Sequence, residues 1–500
     1  MTGTDRPIVR THNGDLRGTW EDGLAVFRGV PYAAAPMGDL RWRAAQPHPG
    51  WPGVRDAASY GPGCPQPYAP APDSVLGRHG EPPFDEDCLT LNVWTPDPGG
   101  KNPVLVWIHG GGFVSGSGTM PVYAGDTFAR DGDLVVVTIN YRLGPLGYLY
   151  LGEDEGNFWL TDQLAALRWV QDTIAAFGGD PARVTVAGQS GGAFSTAALA
   201  CHPEGGALFH RMILQSPPFG LALPDRAASL ERTRRFAAAA GAVGLDELRT
   251  LPSERLVAAA VAMFGGLARF GHWPVPFLPM IDGVTLERHP ADALADGHLG
   301  GSNGKETLIG WTANEATFAF ALNPAYANAT VEEVLGRFTD TFGDQAERAY
   351  SAYAANHPNA SPGELLTELI GDDLFRVPAS KAVQGLADKG RRVWAYQFDY
   401  RTPAHNGRLG ATHCLELPFT FNNADRWTHS PFLDGAAPED LSTLGRAMHT
   451  AWINFVRTGD PQVPGWSPVT PAAAPHLRFD TAMASTGDPV AHLRELRDEL

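Results

Sequence analysis

Ser190 stands in Val184-Thr-Val-Ala-Gly-Gln-Ser190-Gly-Gly-Ala193, a G-x-S-x-G string in which a hydroxyl is carried at a sharp turn of the backbone. The apolar, β-rich run from Arg183 to Ala187 leads into it, and Ala193 to Ala200 continues with helical patterning. Strand, tight turn and helix together present a serine as a nucleophile for acyl transfer. Gly188 and Gly192 bracket the turn because neighbouring chain passes close and the serine sits in strained backbone space, where a Cβ would clash. In a chain with 57 glycines the string alone is a weak signal, equally readable as a Gly-rich βα turn. Partners elsewhere decide between the two.

An acyl-transfer serine needs a base to take its proton, an acid to orient that base, and donors where negative charge develops. His109-Gly-Gly-Gly-Phe113 follows directly on the apolar strand Val104 to Ile108. A run of glycines at a strand end lets backbone N–H groups point into a cavity, which makes Gly111 and Gly112, joined by Gly191, the candidate oxyanion donors. Glu315, in Gly310-Trp-Thr-Ala-Asn-Glu-Ala, falls after the serine and before the late histidines, the order this topology requires of the acid. The base is one of 16 histidines. His413, in Gly410-Ala-Thr-His-Cys-Leu-Glu, lies in a loop after a late strand; His405 precedes an Asn-Gly turn signal and reads as a loop tip, and His109 as a residue that shapes the glycine loop.

Several elements must hold these residues. Leu89 to Trp94, Val104 to Ile108, Leu134 to Ile139, His210 to Gln215, Thr307 to Gly310 and Arg392 to Phe398 are compact β-rich runs. Helical spacing marks Leu160 to Phe177 and Leu441 to Arg457. Strands this apolar are buried on both faces, which predicts an α/β fold with a large, mostly parallel central sheet flanked by helices. Short β patterns before residue 60 predict a small antiparallel start, and the Pro- and Gly-rich stretch 61–85 a surface loop bordering an entrance. Stretches 220–300 and 320–390 have helical periodicity and read as cap insertions within a single domain, 1–500.

Five hundred residues with 43% hydrophobic content can bury a large core. A formal net charge of −17 argues against nucleic acid or an anionic membrane surface as partner. No apolar run approaches a membrane span and the first residues carry no signal pattern, so a cytoplasmic location is expected. Cys64, Cys88, Cys201 and Cys414 form no C-x-x-C pair, and neither a metal nor any other cofactor is expected.

With these residues in place, the chain resembles the type B carboxylesterases, the cholinesterase-like branch of the α/β-hydrolases. Phe27-Arg-Gly-Val-Pro-Tyr32, Glu86 to Val93, His109 to Phe113, Asn140-Tyr-Arg-Leu-Gly144, Asp162-Gln163, Ala176 to Pro181, the Ser190 turn and Glu416-Leu-Pro-Phe419 carry the resemblance. It implies an α/β-hydrolase fold with Ser190 as nucleophile, Glu315 as acid, His413 as base, and Gly111, Gly112 and Gly191 as oxyanion hole. Cys64 falls where secreted relatives place a bridged cysteine; a reducing compartment favours free thiols, and a Cys64–Cys88 bond stays open.

Many relatives have Glu before the nucleophile and Ala after it, where this chain has Gln189 and Gly191. A neutral Gln removes a charge that would attract cations, so the expected substrate is a small neutral ester or carbamate. Phe113, Gln189, Phe219 and Phe318 are the candidate pocket residues, with Pro217-Pro218 stiffening the wall near Phe219. Two other readings stand beside this one: an enzyme acting mainly on aryl carbamates or amides, and a non-catalytic adhesion protein of the same fold.

Overall fold

The computed structural model describes residues 6–68, 83–152, 156–301, 305–428 and 430–499. Most of the stretch 61–85, read as an entrance loop, lies outside the described residues. Eleven strands form the main sheet, in the order Ala484–Thr486, His476–Phe479, Val393–Phe398, Glu306–Thr312, Arg211–Gln215, Gly179–Gln189, Asn102–Ile108, Val135–Ile139, Thr90–Thr95, Leu24–Pro31 and Thr19–Glu21. The six pairings from His476–Phe479 through Val135–Ile139 are parallel, and the pairings outside them are antiparallel. The sheet is therefore mixed at its edges and parallel where it is most buried.

Each central strand is apolar on both faces. Val104, Val106 and Ile108 face one core, and Leu105 and Trp107 face the other. Val135 and Val137 against Val136 repeat that split one strand away. Both faces need covering, so helices such as Phe158–Thr173, Gly191–Cys201 and Pro438–Thr458 pack against the sheet. Ile8–Thr11 and Gly14–Arg17 do not begin the main sheet as expected. They form a separate three-stranded sheet with Val54–Asp56, and Thr19–Glu21 and Leu24–Pro31 are the early strands that enter the large one, as an antiparallel pair.

Several motif strings act as ties between layers. Arg142 is buried and meets Asp162 through Nη2–Oδ1 at 2.6 Å and Nε–Oδ2 at 2.8 Å, while its backbone N–H donates to the same carboxylate at 3.1 Å. That fastens the chain leaving strand Val135–Ile139 to helix Phe158–Thr173. A buried pair with its lone pairs this well satisfied is costly to break, by about 3–5 kcal/mol when one partner is removed.

The stretch 220–300 forms the helices Arg226–Ala240, Leu245–Thr250, Ser253–Leu267 and Pro290–Ala295. The stretch 320–390 divides. Val331–Phe342, Ala346–Asn356 and Pro362–Gly371 pack on one another, whereas Val377–Asp388 packs on the sheet strands Glu306–Thr312 and Val393–Phe398 through its apolar side, Ala379, Ala382, Val383 and Leu386. Between the two lies a π-helical turn, Asp372–Arg376.

Register decides where the loops meet. Ile108 pairs with Gly188 and Gln215 with Gln189, so the glycine loop after Ile108, the Ser190 turn and the chain after Gln215 leave adjacent strands at the same end. The loops after Thr312 and Phe398 follow on the next two strands. Carboxyl ends of parallel strands are where an open α/β sheet forms its crevice.

Candidate active site

Ser190 adopts φ 56° and ψ −123°, a strained conformation for a residue with a side chain. The turn is over-determined by its surroundings. Ser190 N–H donates to Gln215 O at 2.8 Å, Phe194 N–H donates to Ser190 O at 3.0 Å, and helix Gly191–Cys201 starts at the next residue. A Cβ at Gly192 would lie 2.0 Å from Ile108 O, and one at Gly188 would lie 2.4 Å from the Gly192 carbonyl carbon. Both positions are therefore closed to any side chain.

The glycine loop turns back on itself in the same crevice. Gly111 has φ 119°, where a Cβ would meet Ser115 O at 2.0 Å, and Gly112 has φ 60°. Gly111, Gly112 and Gly191 line one cavity with Ser190, and among the described residues their N–H groups donate to no backbone or side-chain acceptor. Three such donors beside a serine hydroxyl, one of them at a helix N-terminus, can hold an oxyanion.

Glu315 and His413 come from the next two loops and meet. His413 Nδ1 lies 2.5 Å from Glu315 Oε2, and Glu315 Oε1 accepts the Thr312 N–H at 2.8 Å. Both side chains are buried. In the neutral ring, an Nδ1–H that donates to Glu315 leaves Nε2 with its lone pair. That lone pair faces the Gln189 carboxamide, with Nε2 of His413 3.1 Å from Nε2 of Gln189, and no hydrogen bond joins His413 to the Ser190 hydroxyl. Burial opposes charge on the ring, but Cys414 and Glu315 carry its pKa well above the usual histidine value. The Cys414 thiol is itself pushed up by burial and is neutral near pH 7, so the lasting contribution is that of Glu315. Behind the pair, burial raises the Glu416 carboxyl to about 7, while Gln215 Nε2 donates to its Oε1 at 3.2 Å.

The other two histidines separate. His109 Nδ1 lies 2.8 Å from Gly110 O and its ring stacks on Tyr141 at 4.6 Å, so it braces the glycine loop. His405 is exposed, in a turn with φ 51°.

The cavity over Ser190 has a volume of about 420 Å³. Phe113 and Gln189 form its floor beside Ser190, and Leu221, Phe264, Trp273, Phe318 and Phe375 supply apolar wall, most of it from the two helical insertions. No Asp, Glu, Lys or Arg among the described residues lines it. Phe219 is not part of the wall. The chain turns at Pro217, with Phe219 N–H donating to Pro217 O at 2.8 Å, so that Pro218 faces the cavity while the Phe219 ring is buried against Phe194.

The carboxylesterase family model matches residues 5–494. The chain belongs to the carboxylesterase family. It is 52% identical over 465 residues to the phenmedipham hydrolase of Pseudarthrobacter oxydans, covering 92% of each chain. It is 34% identical to the para-nitrobenzyl esterase of Bacillus subtilis, covering 98% of each. Among solved structures, a Geobacillus stearothermophilus carboxylesterase superposes with a TM-score of 0.85 at 36% identity, covering 98% of this chain and 99% of that one.

For a carboxylesterase, two features of the site were not visible in the sequence. Phe375 lines the cavity and packs on the His413 ring at 4.7 Å, although it comes from the π-helical turn, where a residue inserted into helical spacing hides the facing side chain from periodicity. Cys414 lines the cavity beside His413; its adjacency in sequence was the available signal. Cys64 and Cys88 are both buried and carry no disulfide, and Cys64 Sγ accepts the Leu143 N–H at 3.2 Å.

Proposed function

We propose that the chain is a serine carboxylesterase acting on neutral carboxylic esters and aryl carbamates. The observation that carries this is a serine on a strained turn, opening with three N–H groups that have no protein acceptor among the described residues into an apolar cavity that no Asp, Glu, Lys or Arg among them lines. In this reading Ser190 Oγ attacks the carbonyl carbon as His413 Nε2 takes its proton, and Glu315 holds the ring's tautomer and balances its charge. The carbonyl oxygen becomes an oxyanion between the N–H groups of Gly111, Gly112 and Gly191, and removing one such donor costs about 3 kcal/mol in comparable sites. The C–O bond to the alcohol or phenol then breaks as His413 passes the proton to the leaving oxygen. Water, deprotonated by the same ring, attacks the acyl carbon and releases the acid, restoring Ser190.

Aryl carbamates enter through the similarity to phenmedipham hydrolase, whose named substrate is an aryl carbamate, and the cavity's aromatic wall suits such a group. With a carbamate the intermediate is a carbamoyl-serine. Nitrogen donation makes its carbonyl less electrophilic, so release is the slower step. A cytoplasmic location is part of this reading.

The test is hydrolysis of a neutral aryl ester and an aryl N-phenylcarbamate by the wild type and by Ser190→Ala at equal folded concentration. Both activities are expected, and both are expected to vanish in the variant. A wild type inert on both, or a Ser190→Ala variant that retains turnover, overturns the reading.

A further inference from the structure

We propose that Gln189 is a positioning residue for the base: its carboxamide donates to the His413 ring whenever that ring is neutral, then turns to offer its oxygen while the ring carries the serine's proton. This rests on the reading of Ser190, Glu315 and His413 given above.

The contact itself identifies the donor. An amide nitrogen has no lone pair to accept with, so at 3.1 Å the Gln189 N–H must be donating to a bare Nε2 on His413. Nδ1 bonded to Glu315 at 2.5 Å is the tautomer that leaves Nε2 bare. The atom that must receive the Ser190 proton is thus held by Gln189 whenever the ring is neutral. Both side chains are almost wholly buried, 1% exposed for Gln189 and 3% for His413.

Proton transfer reverses the requirement. Once Nε2 bears hydrogen, an amide N–H facing it is two donors head to head, and burial makes that mismatch expensive. A carboxamide resolves it by rotating about its last bond and presenting Oε1. The oxygen then shares the Nε2–H with the leaving oxygen until the proton moves on. Space for the rotation is kept by Gly110, where a Cβ would lie 2.7 Å from Gln189 O and 2.9 Å from its Oε1. The groups that can charge near the ring are Glu315, Cys414 and Glu416; the other residues against it, Phe318, Phe375 and Gln189, are neutral.

A glutamate at this position has only acceptors. It would bind the protonated ring and oppose its release as a base. A methionine has the same length and serves neither state.

The experiment compares full-length wild type, Gln189→Met, Gln189→Glu and Ser190→Ala on a neutral aryl ester from pH 5 to 10. Gln189→Met is expected to lower kcat about tenfold with KM little changed, one hydrogen bond's worth. Gln189→Glu is expected to move the acid limb of kcat/KM upward by about one pH unit. A purely structural role would lower the melting temperature but leave that limb in place. An unmoved acid limb in Gln189→Glu overturns the proposal, whether or not the methionine variant folds. If Ser190→Ala is inactive while both Gln189 variants match the wild type, this inference alone fails; if Ser190→Ala remains active, the serine mechanism fails with it.

Discussion

The Phe318 ring lies nearly parallel to the His413 imidazole, with 24° between the planes and 5.4 Å between the centroids. Trp273 backs Phe318 at 4.9 Å, so the stacked ring is itself held. Stacking leaves movement within its own plane as the easy motion of the imidazole, and that is the motion needed to pass from Gln189 to Ser190.

Phe318→Ala should therefore act on the chemical step. Tilting of the freed ring is expected to lower kcat for a small ester at least tenfold, since misplacement near 1 Å can cost about a hundredfold. Phe318→Leu restores bulk without a flat face and should fall between the two. Steady-state kinetics on an ester too small to reach Trp273 checks this; a change confined to KM would show that Phe318 only lines the wall.

The elbow glycines should differ sharply in tolerance. At Gly192 an added methyl would meet the backbone oxygen of Ile108 at 2.0 Å and that of His109 at 2.8 Å, and the start of helix Gly191–Cys201 cannot easily part from the strand end it packs on. At Gly191 it would meet Phe113 ring atoms at 3.1 and 3.2 Å, and a side chain can yield by a few tenths of an ångström. Gly192→Ala is expected to cost about 3 kcal/mol or more and to abolish activity, and Gly191→Ala about 1 kcal/mol or less. Chemical denaturation decides; equal losses at the two sites would refute the contrast.

Glu416 should leave a signature in stability against pH. Its folded pKa of about 7 lies above the ordinary value of 4.5, so the folded chain binds the proton more tightly than the unfolded one. Its contribution is full below pH 4.5, declines as pH rises towards 7, and is a constant penalty above that, on the order of 3 kcal/mol. Gln215 already donates to one oxygen. Glu416→Gln imitates the protonated acid and should remove this slope, making the variant the more stable protein at pH 8. Unfolding free energies at pH 5, 6.5 and 8 provide the check, and a constant difference between the two proteins would rule the idea out.

Legibility from sequence followed the range of each constraint. The Ser190 turn, Gly111, Gly112 and the central strands were readable because local backbone sterics and two-sided burial write themselves into neighbouring residues. Glu315 and His413 lie 98 positions apart, joined only by adjacent strands, and needed chain order and family resemblance to be found. Phe219 was misplaced because a Pro-Pro turn rotates its ring away from the cavity, and Phe375 was missed because a π turn breaks the period. The short strands His476–Phe479 and Ala484–Thr486, at one side of the sheet, carry too few residues for a pattern to show.

The lining without fixed charge also governs departure. An acid freed at Ser190 loses its proton near neutral pH and becomes a carboxylate in a chamber that offers no lysine or arginine to hold it among the described residues. A bare carboxylate in such surroundings is far better solvated outside. The same wall that suits a neutral ester offers its ionised product no lysine or arginine counter-charge among the described residues, so the product is not held in the chamber.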